Sequence, residues 1–140
     1  MTRSYTRLTT LSEDRCRDLL KTHQTGVGRI AFAEDGNAAW PSILPVNYAY
    51  RNGAIFFRTF EGSKLYTALR RQRVAFEIDE LDKEWRQGWS VVALGILDIV
   101  RDAAEHSSVD HMLRSWAADE REHLVRLDIE RLTGREVIGP

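Results

Sequence analysis

Asn52-Gly53 stands between two runs of strand-forming residues, "SILPVNYAY" and "AIFFRT". Both residues tolerate the positive backbone angles of a two-residue reversal, so the pair predicts a tight β-hairpin. Upstream, Asp35-Gly36-Asn37 breaks "VGRIAFAEDGNAAWPSILPVNYAY" in the same way and predicts a preceding hairpin that shares the middle strand. Pro41 and Pro45 fall within that shared strand and have no backbone N–H to give to a ladder. The strand is therefore expected to be interrupted or to lie at an edge there, leaving backbone groups for a ligand.

The remaining chain extends the pattern. "LSEDRCRDLLKTH" predicts a helix over 12–22, with Ser12 as cap, Glu13 and Asp14 at its positive end, and Cys16, Leu19 and Leu20 on one face. "EGSKLYTALRR" predicts a short helix over 61–71. "VAFEID" reads as a strand, "ELDKEWRQG" as a polar connection, and "WSVVALGILDIV" as a long strand whose Gly95 marks a bulge or a close backbone approach. "DAAEHSSVDHMLRSWAADE" reads as one or two surface helices, and "LVRLDIERLTGREV" as a last strand ending in a turn. Strands joined by tight turns, with few short helices, favour a mainly β, closed or nearly closed antiparallel barrel over a doubly wound α/β fold.

With 140 residues the chain fits a single domain, 1–140, large enough for a real core. Twenty basic and twenty-one acidic residues leave a net charge of -1, so no global field draws in nucleic acid or an anionic membrane. Any anion site must be local. No stretch approaches the roughly 18 apolar residues of a membrane helix. The start "MTRSYTRLTT" lacks the apolar core of a signal peptide and Cys16 is the single cysteine, so a cytoplasmic address is expected.

A local anion site is written at the end of the second hairpin. Arg58, Thr59, Ser63 and Lys64 fall within seven positions, with Lys64 in the first turn of the predicted helix after Gly62-Ser63. Free backbone amides, a hydroxyl and an ammonium converging there suit a phosphate. The plain alternative is a pair of solvated charges, and it is disfavoured by the position of Arg58 directly after "AIFF" and just ahead of the Gly-Ser-Lys step.

The order "ILPVNYAY", hairpin, "IFFRT", "EGSKL", "VAFEID" and "GWSVVALG" resembles the pyridoxamine 5'-phosphate oxidase-like family of flavin-binding split barrels, over roughly residues 8 to 138. The resemblance implies a six-stranded antiparallel split β-barrel that forms a homodimer, with FMN in clefts between subunits. It implies that the strand bearing Pro45, Val46, Asn47 and Tyr48 lies along the isoalloxazine ring and bonds its polar rim through main-chain groups. Arg58, Thr59, Ser63 and Lys64 would hold the ribityl phosphate, and Trp89 and Ser90 would approach from the neighbouring subunit. A flavin is a flat apolar disc with a polar rim and an anionic tail, so an apolar wall, exposed backbone and a cationic cradle suit it. Several relatives carry His where Arg58 stands, so that histidine's chemistry is not carried over; Arg58 is expected to reinforce phosphate binding through its fork of donors.

Other features read as structural. Trp85 is a weaker candidate for cofactor contact than Trp89, and Trp40 and Trp116 are expected in the core or at a dimer contact. His106, His111, His123 and His23 match no metal-site spacing, so no metal is expected. Cys16 reads as a small buried residue rather than a nucleophile. "DELDKEW" reads as a solvated connection, and "RRQRV" is too short for a nucleic-acid patch.

The reading is an FMN-dependent oxidoreductase acting on a small organic substrate, with no catalytic side chain assigned. One alternative cofactor is the deazaflavin coenzyme, whose longer acidic tail Arg70, Arg71 and Arg73 would serve. Another alternative is a non-catalytic module binding flavin, pyridoxal phosphate or haem. Pyridoxamine phosphate oxidation itself is disfavoured, because the chain stops at "LTGREVIGP" without the substrate-holding extension of those enzymes.

Overall fold

A computed structural model describes residues 7–33, 40–63, 65–66, 72–113 and 122–139. Seven antiparallel strands make up its sheet: β1 (Arg7–Leu11), β2 (Thr25–Ala33), β3 (Pro41–Arg51), β4 (Ala54–Phe60), β5 (Arg73–Asp82), β6 (Gln87–Ile99) and β7 (Glu122–Ile138). Two helices are described, α1 (Glu13–Thr22) and α2 (Ala103–Asp110). The sheet order is β1-β7-β4-β3-β2-β5-β6, and β6 also pairs with β7, which closes β2 to β7 into a ring. The fold is the split barrel, with seven strands rather than six. The seventh is β1, which pairs with the last residues of β7 from Arg7↔Ile138 to Leu11↔Gly134.

Local chemistry accounts for most of these elements. Asn52 and Gly53 adopt φ of 50° and 77°, the left-handed pair that turns β3 into β4. Ser12 caps α1 by accepting from the Arg15 amide at 3.1 Å. At the β5–β6 connection Asp82 Oδ1 accepts from the amides of Glu84 and Trp85 at 3.0 and 3.2 Å. The polar connection expected over 80–88 is thereby reduced to one turn, with Glu80 to Asp82 inside β5 and Gln87-Gly88 inside β6. The register of β6 against β7 shifts between Leu94 and Gly95, the bulge that Gly95 announced.

The expected terminal turn at "LTGREV" is corrected: β7 runs unbroken to Ile138. Gly134 serves close packing there, since a Cβ on it would stand 2.7 Å from Cys16 Sγ and 2.9 Å from the Ser90 carbonyl oxygen. Asp35-Gly36-Asn37, Trp116 and most of the helix expected over 61–71 lie outside the described residues.

Two apolar clusters hold the barrel. The interior one joins Ile30, Phe57, Phe76, Val91, Leu97 and Leu127 to Cys16, Leu19 and Leu20, so α1 seals one end of the ring. Burial there pushes the Cys16 thiol up, in keeping with a small packing residue. The second lies on the outer surface of β3 and β4, where Ala49, Ala54 and Phe56 meet Val109 of α2 and Leu113. The two clusters define an inner and an outer face for every strand residue discussed below.

Candidate functional site: the notch where β3 leaves β4

β3 pairs with β2 along its length, from Pro41↔Ala33 to Ala49↔Thr25. Its ladder with β4 covers only Tyr48↔Phe57 to Arg51↔Ala54. Beyond Phe57, β4 continues to Phe60 on the side facing β7, ending at Phe60↔Glu122. The strands therefore part at Tyr48 and Phe57 and open a notch, with residues 41–47 forming an edge on one flank. Here Pro45 costs no ladder hydrogen bond on its β4 side, which meets the edge alternative expected of the two prolines.

The side chains along this edge face both ways. Tyr48 is buried at 3% exposure and its hydroxyl donates to the His23 carbonyl at 2.5 Å, with its ring edge-on to Phe76. Burial pushes its phenol up to about 12, so Tyr48 is a core residue whose backbone, not its hydroxyl, meets the notch. Val46 is half-buried against the interior, whereas Pro45 and Asn47 are exposed. Ile43, 69% exposed, Leu44 and Val27 leave a bare apolar surface around them. Trp40, which was expected in the core or at a dimer contact, is 84% exposed and thus not in the core of this chain.

On the other flank, Arg58 and Thr59 point to opposite faces. Phe57 belongs to the interior and Phe56 to the outer cluster, so alternation sends Arg58 outward and Thr59 inward. Arg58 Nη2 pairs with Asp110 at the end of α2 and donates to the Leu113 carbonyl at 3.4 Å, while its Nε lies 3.8 Å from Glu122 Oε1. That Nε is buried without a hydrogen-bond acceptor. Thr59, 4% exposed, shares a 3.0 Å hydrogen bond with the Ser63 hydroxyl, which accepts from the Tyr66 amide at 3.0 Å. The cradle is thus split: Thr59 and Ser63 act together, and Arg58 is anchored to α2. Lys64, Arg70 and Arg71 lie outside the described residues.

Trp89 and Ser90 do not join the notch within one chain. They lie in β6, separated from β3 by β5 and β2. Trp89 packs against the interior with its ring 4.8 Å from that of His23, and Ser90 lies between Asp79 and Arg135 in the ladders. Trp85 is exposed at the β5–β6 turn.

Sequence reasoning passed over one group beside Thr59. His123 is its ladder partner, and the His123 ring stacks on Tyr66 and bonds Glu61 at 2.7 Å. Only the pairing of β4 with β7 brings these residues together, and no spacing along the chain signals it.

The sequence matches the family model described as Pyridoxamine 5'-phosphate oxidase over residues 12–136. The chain belongs to that family. It is 32% identical over 117 residues to an uncharacterized protein of Mycobacterium tuberculosis, a match covering 80% of this chain and 75% of that one. Among solved structures it is similar to the FAD binding protein from Mycobacterium smegmatis, with 35% identity, a TM-score of 0.72 and coverage of 94% and 99% of the two chains. It is also similar to an FAD-binding protein from Mesorhizobium loti, with 27% identity, a TM-score of 0.73 and coverage of 95% and 98%. No helix among the described residues is long and apolar enough to cross a membrane.

Proposed function

We propose that this protein binds a flavin nucleotide in the notch between β3 and β4 and is a flavin-dependent oxidoreductase acting on a small organic substrate. The observation that carries the reading is the parting of the two strands at Tyr48 and Phe57. It exposes a flat backbone edge next to a hydroxyl pair, and two similar solved proteins are FAD-binding. The residues present fit the group: the edge offers main-chain partners for a polar ring rim, and the paired Thr59 and Ser63 hydroxyls offer hydrogen bonds to a phosphate.

In this reading the backbone of Pro45, Val46, Asn47 and Tyr48 orients the ring. Thr59, Ser63 and Lys64 hold the phosphate of the FMN portion, and Arg58, turned to the opposite face and anchored to α2, adds its charge from behind β4. The exposed Val27, Ile43 and Leu44 are covered by a second copy, making a homodimer whose Trp89 and Ser90 complete the cleft from the other subunit. Bound flavin supplies hydride transfer, while the chain supplies position, charge and exclusion of water. The FAD-binding relatives favour a flavin over the deazaflavin coenzyme. The buried lone Cys16 fits a reducing, cytoplasmic setting.

Titration of FMN and FAD into the purified protein, followed by flavin fluorescence, tests the proposal. Saturable binding is expected. Lys64→Ala combined with Arg58→Ala should weaken it at least tenfold, since each charge-assisted bond contributes about 1.5–3 kcal/mol. Absence of binding to either flavin would overturn the reading. Binding without reduction by any nicotinamide nucleotide or other donor would leave a flavin-binding module in place of an enzyme.

A further inference from the structure

Around the hydroxyl pair of Thr59 and Ser63 runs a closed circuit of contacts, part of which the flavin reading leaves without a role. Thr59 Oγ1 and Ser63 Oγ share a 3.0 Å hydrogen bond, and Ser63 Oγ accepts from the Tyr66 amide at 3.0 Å. The Tyr66 ring stacks on His123, with centroids 5.0 Å apart and planes 28° from parallel. His123 closes the circuit as the ladder partner of Thr59. Directly opposed residues of an antiparallel pair share a face with their Cβ atoms about 4.5–5.5 Å apart, so the imidazole stands next to the two hydroxyls. The ring is 29% exposed, enough for an arriving group to reach it.

One ring nitrogen is already engaged, since His123 Nε2 lies 2.7 Å from Glu61 Oε1. The carboxylate can only accept, so Nε2 carries a hydrogen and the free side of the ring is Nδ1. Placed between a carboxylate and a phosphate, an imidazole carrying both protons bonds one through Nε2 and the other through Nδ1, and its charge separates two anions. The neighbouring charges act elsewhere. Glu122, one residue before His123, alternates to the opposite face, where it and Asp110 meet Arg58.

We propose that His123, oriented by Glu61, is a phosphate ligand of the cradle: its Nδ1–H bonds a terminal phosphate held by Thr59 and Ser63, and its charge covers Glu61, so the site tells phosphorylated flavin from riboflavin. The inference rests on the proposed flavin site. Glu61 then has opposite effects according to its neighbour. With His123 present it holds the ring in place and offsets the second positive end of the bond. With His123 gone it is a bare negative charge beside the phosphate.

The experiment is titration of FMN and of riboflavin into the wild type and its variants, followed by flavin fluorescence. The wild type should bind FMN at least about tenfold more tightly than riboflavin. His123→Phe keeps a ring against Tyr66 but removes both nitrogens; it should weaken FMN binding about tenfold, as loss of one charge-assisted hydrogen bond does, and move riboflavin binding less than about twofold. His123→Asn, whose amide N–H stands near the place of Nδ1–H, should recover part of the loss. Glu61→Gln should weaken FMN binding about threefold in the wild type and strengthen it about threefold in His123→Phe, a reversal of sign that a purely structural contact would not produce. In the ring-nitrogen spectrum of the labelled wild type, FMN but not riboflavin should shift His123 Nδ1. If His123→Phe fails to fold by circular dichroism, that resonance decides. FMN and riboflavin weakened equally by His123→Phe, no loss of FMN binding, or a Nδ1 signal unmoved by bound FMN would overturn the role of His123 and leave the flavin site standing; no binding of either flavin by the wild type would overturn both.

Discussion

The two halves of β3 are one continuous strand with opposite fates. Tyr48 and Ala49 are held by β2 and β4 and are buried, whereas residues 41–47 are held by β2 alone and keep Ile43 and Leu44 in the open. Pairing on both sides is what a barrel needs to close. Pairing on one side leaves backbone polar groups and apolar surface unspent, which is the composition of a binding edge. The proposed flavin site therefore uses the half of the strand that contributes least to the fold, and changes in the two halves should have separable effects.

The largest effect should come from the closed half. Phe57 opposes Tyr48 at the point of divergence and is fully buried, so Phe57→Ala should cost about 3–5 kcal/mol in chemical denaturation. A loss under 1 kcal/mol would mean that the strands are not closed there. At the notch the order reverses: Thr59→Val with Ser63→Ala should weaken flavin binding about tenfold. Their cost in stability should be near that of one or two hydrogen bonds, about 1–2 kcal/mol. Equal flavin affinity in the double variant would remove the hydroxyl pair from the cradle.

A smaller effect concerns pH. Burial in the folded protein raises the Glu77 carboxyl to about 7, so the folded state favours the protonated form more than the unfolded chain does. The resulting stabilisation is fully present below the ordinary carboxylate range and is lost as pH rises through about 7. For a partly solvated group this is on the order of 1 kcal/mol. Denaturation midpoints should fall between pH 5 and 8 in the wild type and fall less in Glu77→Gln; identical profiles would contradict the raised carboxyl. The smallest effect on stability is expected from Ile43→Ser in the open half, within about 0.5 kcal/mol. The same substitution should shift sedimentation toward the monomer, and an unchanged dimer would place the subunit contact elsewhere.

What was legible beforehand was local. Asn52-Gly53, the Ser12 cap and the Gly95 bulge each depend on residues within a few positions, and each takes the conformation its chemistry demands. β1 was missed because "RLTTL" has no buried face of its own: four of its five residues are exposed and its pairing with β7 bridges nearly the whole chain. The expected terminal turn of the last strand failed because nothing nearby in sequence reveals that β7 runs on to Ile138, with α1 pressing Cys16 against Gly134. At the site, Pro45 announced an edge, but nothing near it in sequence shows that β4 runs on along β7 to Phe60 after β3 has left it at Phe57. Alternation correctly turned Arg58 away from Phe57, yet its partners Asp110 and Glu122 lie more than fifty residues downstream.

Amide chemical-shift mapping of the isotopically labelled protein during addition of FMN reaches the flavin site most directly. The account predicts shifts concentrated at Val46, Asn47, Thr59 and Ser63, with Tyr50, Ile55 and Phe56 nearly still. Shifts confined to other strands, or none at saturating FMN, would contradict it.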